Sequence, residues 1–244
     1  FALAYAAAVL VLGRIADRTD RRRLYALGIV VWSLGTALGG AALGFLSFVA
    51  TRLVVGIGQA AAGATNGPLI ADYVPPERRA TTMGLGAMGA TLGVFFGLFL
   101  GAAGIAAFGW RITFVGLSVL GLGYAVLFHN LVQEPPRGWS EGRAHVPTSP
   151  VPLRDVARVA ASRPALVHSL AGTVLNSLAI FASAQWIVAF FERVHGMTNA
   201  TASLSLVAAA LVSTLGAVAG GLLANRAWGS NPRAVLFVPA VCST

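Results

Sequence analysis

Long apolar runs separated by short polar gaps organise this chain from end to end. The runs at 24–44, 46–73, 80–107, 110–132, 164–192 and 200–224 are each long enough to cross a membrane, which takes about 20 mainly apolar residues for ~30 Å of hydrocarbon. Two shorter runs, 1–13 and one starting at 234, lie at the ends. The pattern predicts an all-α, polytopic membrane protein with six complete transmembrane helices and two partial ones. Residues 1–12 have no basic segment before them and no small-residue cleavage site after them, so they do not read as a signal peptide. A chain that opens and stops inside helices is expected to be a fragment.

The gaps alternate in charge. Arg14, Arg18, Arg21, Arg22 and Arg23 share the first gap, and Arg78 and Arg79 another. Arg137, Arg143, Arg154, Arg158 and Arg163 fall in the third such gap, and Arg226 and Arg233 in the fourth. The intervening gaps hold only Arg111 and Arg193, while Arg52 lies inside a span. Basic loops stay on the cytoplasmic side, so the arginine-rich gaps are expected to face the cytoplasm.

The longest gap, 134–163, carries Pro135, Pro136, Pro147, Pro150 and Pro152 and divides the chain into an N-terminal bundle (1–133) and a C-terminal bundle (164–244). Within it Leu153, Val156, Ala157 and Ala160 repeat at helical spacing, with Arg154 and Arg158 on another side. That pattern fits a short amphipathic helix on the membrane surface, and a flexible linker is the other reading. Gly13-x-x-x-Asp17-Arg18 ends one apolar run, and Gly221-x-x-x-Asn225-Arg226 ends another in the second half. Such an echo is the trace of two repeated helical bundles.

Composition then narrows the class. The chain is 57% hydrophobic and 10% charged, far from the ~25% charged residues of soluble domains. A net charge of +9, all of its basic residues being Arg, is accounted for by topology, and no nucleic-acid partner is implied. The lone Cys242 excludes a disulfide framework and a cysteine metal cluster. His129, His145, His168 and His195 are scattered, so no metal site, cofactor or catalytic cluster is expected. Gly84-x-Gly86-x-x-Gly89 spells a dinucleotide fingerprint, but no strand precedes it and no acidic residue follows at the required distance. A membrane-embedded enzyme would need clustered titratable groups inside the spans, which are essentially free of them.

The span at 46–73 carries the most telling polar pattern. Arg52, Gln59 and Asn66 recur every seven residues, with Gly56 and Gly63 at helical offsets between them. Seven residues advance about 700°, close to two turns, so the five share one face. A polar stripe with glycine gaps fits a helix lining a cavity, with Arg52, Gln59 and Asn66 as cavity residues. Arg52 alone is also within snorkelling reach of its own end of the span. The span at 164–192 repeats the logic with Asn176, Ser183 and Gln185, and its Trp186 suits either a cavity or an interfacial belt. Gly89, Gly93, Gly97 and Gly101 recur every four residues in 80–107, a ridge for close helix packing or sliding.

At these motifs the chain resembles the major facilitator superfamily. Gly13, Asp17, Arg18, Arg21 and Arg22 match that family's Gly-x-x-x-Asp-Arg-x-Gly-Arg-Arg loop, with Asp20 standing where the family prefers glycine. Arg52-x-x-x-Gly56-x-Gly58, Ala71–Arg79, Phe108–Arg111 and Glu134–Gly138 resemble its later signatures. Thr51–Ala60 and the stretch from Trp186 to Gly196 look most like the Spinster-type branch, which is associated with lysolipid and sphingosine phosphate export. The resemblance implies a partial superfamily fold from within the second helix into the ninth. It implies a secondary transporter working by alternating access on an amphipathic or organic anion, a lysolipid or a small organic acid being the two versions. A non-transporting receptor of the same fold is the alternative.

The resemblance also implies roles. Asp72 is expected to pair with Arg21 in a charge relay that Asp17, Arg18, Asn225 and Arg226 join, and Arg22 and Arg23 to serve orientation alone. Gly13, Gly56, Gly63, Gly89, Gly93, Gly97 and Gly101 are expected to be packing glycines. Spinster-type proteins typically carry a carboxylate where Gln59 stands, and an amide cannot titrate, which puts proton coupling there in doubt. Expected partners are a small-molecule or lipid substrate, protons or another coupling ion, and membrane lipids around a monomer in a bacterial inner membrane.

Overall fold

The computed structural model describes residues 1–142 and 152–198, with short stretches between 201 and 223. Asn225, Arg226, Gly221 and the final run from 234 lie outside the described residues, as does most of the expected span at 200–224. Among the described residues six α-helices are bounded, in order: α1 (Ala2–Ala16), α2 (Arg21–Gly40), α3 (Phe45–Tyr73), α4 (Pro76–Leu131), α5 (Leu153–Ala161) and α6 (Pro164–His195). A single 3-10 turn, Trp139–Glu141, interrupts the loop after α4. No strand occurs among the described residues. By length and composition α2, α3 and α4 can each cross a membrane.

The helix boundaries depart from the apolar runs for local reasons. Expected to start at 24, α2 begins at Arg21 because Asp20 caps it, its Oδ1 accepting the Arg23 N–H at 2.8 Å. The arginine triplet is thus the first turn of a helix, where a capping carboxylate also meets the positive end of the helix dipole. Further along, α4 contains both of the spans expected at 80–107 and 110–132. Gly109 separates them into arms 76–108 and 110–131 with φ 78° and ψ 162°, a conformation that favours glycine. The closing boundary of α6 is Gly196 at φ 62°, the left-handed cap that ends many helices.

The described chain forms two compact units, one within Phe1–Thr148 and the other within Ser149–Leu215. In the first, α2 packs on α3 and on α4, while α1 packs on α3. Glycines set these approaches. A Cβ on Gly58 would stand 2.5 Å from Trp32 N and 2.8 Å from Gly28 O, and one on Gly40 would stand 2.6 Å from Arg111 O. Of the seven expected packing glycines, Gly56 faces Phe1 and Tyr5, and Gly63 faces Tyr5 of α1. Gly13, Gly89, Gly93, Gly97 and Gly101 have nothing within 4 Å among the described residues, so the ridge on the 76–108 arm is unpartnered there. Large apolar side chains such as Val94, Phe96, Phe99, Leu120 and Val126 are exposed along α4, the surface expected of a helix solvated by lipid.

In the second unit, α5 occupies the segment read as a surface helix or a linker, with Arg158 Nη1 3.4 Å from Asp155 Oδ1. Pro164 opens α6 in its first turn, where a missing N–H costs nothing.

Candidate functional site

The arginine-bearing end of the first unit is built on a buried ion pair. Capping by Asp20 fixes the start of α2, so Arg21 leaves its first turn toward α3. There Arg21 Nη1 donates to Asp72 Oδ2 in the last turn of α3, both residues being 9% exposed. Pro68, inside α3 one turn earlier, lacks the N–H that would bond Ala64 O. The second Asp72 oxygen, Oδ1, accepts the Gly138 N–H at 2.8 Å. Gly138 is at φ 73°, so the loop reaches Asp72 through a left-handed turn. Arg21 Nε is buried without a partner among the described residues.

Around this pair the 133–142 segment is tied down on several helix ends. Arg79 donates from Nε to Val74 O at 3.1 Å and from Nη2 to Ala71 O at 2.8 Å, Ser140 Oγ at 3.1 Å and Glu141 Oε1 at 3.0 Å. The Ser140 hydroxyl donates to Ala71 O at 2.6 Å, and the Tyr73 hydroxyl donates to Gln133 O. Arg137 Nη2 donates to Ala16 O at 3.2 Å at the end of α1. On α2 the Arg22 N–H donates to Glu134 Oε2 at 2.9 Å, while Arg22 Nη1 lies 3.4 Å from Val132 O. Cations near helix C-terminal carbonyls are favourable, so Arg22 does more than mark orientation.

Of the residues expected in a relay, the structure brings Arg21 and Asp72 into direct contact. Asp17 and Arg18 are exposed, and neither side chain has a hydrogen bond or ion pair among the described residues; these two stand apart from the pair. Gly138 bonds Asp72 instead, and Glu134, Arg79 and Arg137 bond the neighbouring helix ends. In the sequence Glu134–Gly138 stands out only as a family junction, since a contact between positions 66 residues apart, Asp72 and Gly138, leaves no periodic signal. Asp20 does carry a local signal, that of an N-cap residue just before an apolar run.

The five residues expected on one cavity-facing stripe divide. Arg52 turns into the seam between α2, α3 and the 110–131 arm, with Cζ 4.9 Å from the Phe48 ring centroid and 5.3 Å from that of Phe114. Its Nη2 lies 3.5 Å from Gly35 O, and its Nε is buried without a partner among the described residues. Gly56 lies against Phe1 and Tyr5 and Gly63 against the Tyr5 side chain, whereas Gln59 and Asn66 are exposed. Tyr5, which the sequence did not single out, brings its hydroxyl against Gly63 between them. In the second unit Asn176 and Ser183 are exposed on α6, and the side chain of Gln185 lies outside what is described. The Arg52 guanidinium offers a fixed charge, and Gln59, Asn66 and Tyr5 offer hydrogen bonds without a titratable carboxylate.

Glycine-spaced membrane helices, a buried ion pair at one helix end and a docked loop define a polytopic α-helical integral membrane protein. The chain belongs to the major facilitator superfamily, whose family model matches residues 1–243. It is 26% identical over 241 residues to the hexuronate transporter of Bacillus subtilis (strain 168), covering 97% of this chain and 57% of that protein. It is 30% identical over 256 residues to human Protein spinster homolog 1, covering 96% of this chain and 47% of that protein. Among solved structures, a bacterial homolog of the human lysosomal transporter Spinster, inward-facing and unoccupied, superposes with a TM-score of 0.62 at 26% identity. That match covers 96% of this chain and 54% of the other. The Spinster-type likeness read from Thr51–Ala60 is thus matched by sequence and by structure, beside likeness to a sugar-acid transporter. The chain spans about half the length of the curated relatives it matches.

Proposed function

We propose that this chain is part of a secondary active transporter that moves an amphipathic or organic-anion substrate by alternating access. The observation that carries the reading is the buried Arg21–Asp72 pair, held on its second oxygen by Gly138. A buried charge pair is poor evidence of stability alone, but it suits a contact that must form in one state and release in another. Gln59, Asn66 and Tyr5 form the proposed substrate wall of the N-terminal bundle, with Arg52 as counter-charge once it leaves Phe48 and Phe114. Asn176, Ser183 and Gln185 are the proposed contribution of the C-terminal bundle. Asn225 and Arg226 are the proposed second copy of the gate.

The proposed organisation is a bundle at 1–133, a loop at 134–163 and a bundle at 164–244, with the arginine-rich gaps cytoplasmic in a bacterial inner membrane. Proton coupling through Gln59 is not part of the proposal. A second version, a small organic acid as substrate, is favoured by the likeness to the hexuronate transporter.

Single cysteines in place of Gln59 and Asn66 in the full-length protein test the reading. A membrane-impermeant maleimide is expected to label each site from one side, and labelling is expected to shift to the other when a transported anion is added. Labelling from one fixed side under all conditions contradicts alternating access.

A further inference from the structure

A groove of about 380 Å³ runs along the outer seam between α2 and the 110–131 arm, lined by neither the Arg21–Asp72 pair nor Gln59 and Asn66. Its walls are almost wholly apolar, with Leu27, Val30 and Val126 among them, and Leu27 and Val126 are exposed. Its polar groups gather at one end, where Arg23, His129 and Asn130 line it. From Arg23 to Val30 the groove follows α2 for about 10 Å at ~1.5 Å per residue.

Arg23 takes no part in the proposed gate. Its Nε lies 3.2 Å from Asp20 Oδ2, which neutralises part of its charge, and its side chain is 69% exposed. Its two terminal nitrogens have no hydrogen bond among the described residues, nor do the His129 and Asn130 side chains. Both flanking helices are apolar enough to cross a membrane. The apolar trough therefore lies at acyl-chain depth and its donors at the height of headgroups. Free guanidinium N–H groups beside an imidazole and an amide match a phosphodiester, which accepts several hydrogen bonds and carries one negative charge.

We infer that this groove is a binding site for an anionic bilayer phospholipid, in the leaflet that meets the arginine-bearing end of α2. One acyl chain lies along Leu27, Val30 and Val126, and the phosphate rests on Arg23, His129 and Asn130. The site fixes the α2–α4 seam from outside and is separate from the proposed transport path. It rests on the membrane-spanning reading and not on the identity of a substrate.

Native mass spectrometry of the full-length protein, delipidated and then titrated with phosphatidylglycerol or phosphatidylcholine, tests this. The expected result is retention of phosphatidylglycerol over phosphatidylcholine, lowered about fivefold in Arg23→Gln, which removes one cationic group, and lowered further in the Arg23→Gln/His129→Gln double variant, which also removes a hydrogen-bonding imidazole. Val126→Trp, which fills the trough from an exposed position, is expected to lower retention of both lipids. A phosphatidylglycerol with a photoreactive acyl chain is expected to label peptides containing 23–30 or 125–130. Equal retention of both lipids overturns the proposal, as does unchanged retention in both variant types. Labelling confined to other helices overturns it too, because the trough would then be filled by another part of the protein. Loss of flux in Val126→Trp with phosphatidylglycerol retention unchanged would assign the groove to substrate and also overturn it.

Discussion

Arg21 and Asp72, 51 residues apart, form a buried ion pair that joins the first turn of α2 to the last turn of α3. Asp72 is shared, since its other oxygen holds the Gly138 N–H at 2.8 Å. One carboxylate thus fixes two helices and the loop that follows α4. Removing one partner of a buried pair leaves an uncompensated charge, at a cost of about 3–5 kcal/mol.

A double-mutant cycle therefore gives a clear expectation. Arg21→Gln and Asp72→Asn are each expected to lower thermal stability, and the double variant to lose less than the two combined. Coupling of roughly 0.5–3 kcal/mol is the range for residues in direct contact. The cycle is measured on thermal unfolding of the full-length protein in detergent, and on flux. Strictly additive losses on both readouts would mean the pair is not a working contact.

Gly138 supplies the second prediction. At φ 73° a Cβ costs about 1–2 kcal/mol, so Gly138→Ala is expected to loosen the loop from Asp72. Limited proteolysis within 133–142 is expected to accelerate, with the rate in wild type as reference. An unchanged rate would show that the loop is not held through this glycine.

The α2–α3 seam is the third. Gly58→Ala would place a methyl 2.5 Å from Trp32 N and is expected to separate the helices, lowering Tm by several degrees. A methyl on Gly123 would meet nothing within 4 Å among the described residues. Gly123→Ala is expected to leave Tm unchanged or raise it, since Ala is favoured over Gly by about 1 kcal/mol in helices. Equal effects at the two sites would contradict the close approach of α2 to α3.

The fourth concerns coupling. With an amide at Gln59, residue 59 contributes no pH dependence of its own to wild-type flux. Gln59→Glu adds a group with a reference pKa of about 4.3 and is expected to introduce a pH dependence as it titrates. Identical pH profiles for wild type and variant would place residue 59 off the transport path.

The helices and the interruption between the apolar runs at 80–107 and 110–132 are legible in sequence because apolar length, turn residues and charge gaps are local signals. The Arg21–Asp72 pair is legible only through family resemblance, since nothing in spacing joins residues so far apart. Asp17 and Arg18 are expected with it because they adjoin Arg21 in sequence. Asp20 ends that adjacency by starting a helix at Arg21, so the side chains before it leave in other directions. The position of the Arg52 guanidinium is likewise not legible in spacing. Sevenfold spacing puts it on the face of Gln59 and Asn66, but a long side chain follows what it can touch, and Phe48 and Phe114 lie within cation–π reach. No periodic pattern shows that Tyr5 lies against Gly56 and Gly63, because that contact depends on how two separate helices pack.

The most direct measurement of the transport reading is flux in proteoliposomes containing the full-length protein, set beside equilibrium binding of the same ligands. Lysophospholipids and small organic acid anions form the panel, with Arg52→Ala as the variant. The account predicts saturable flux of an anion by wild type, and its loss in Arg52→Ala with thermal unfolding retained. Binding of an anion without flux, or wild-type flux in Arg52→Ala at every substrate concentration, would contradict it.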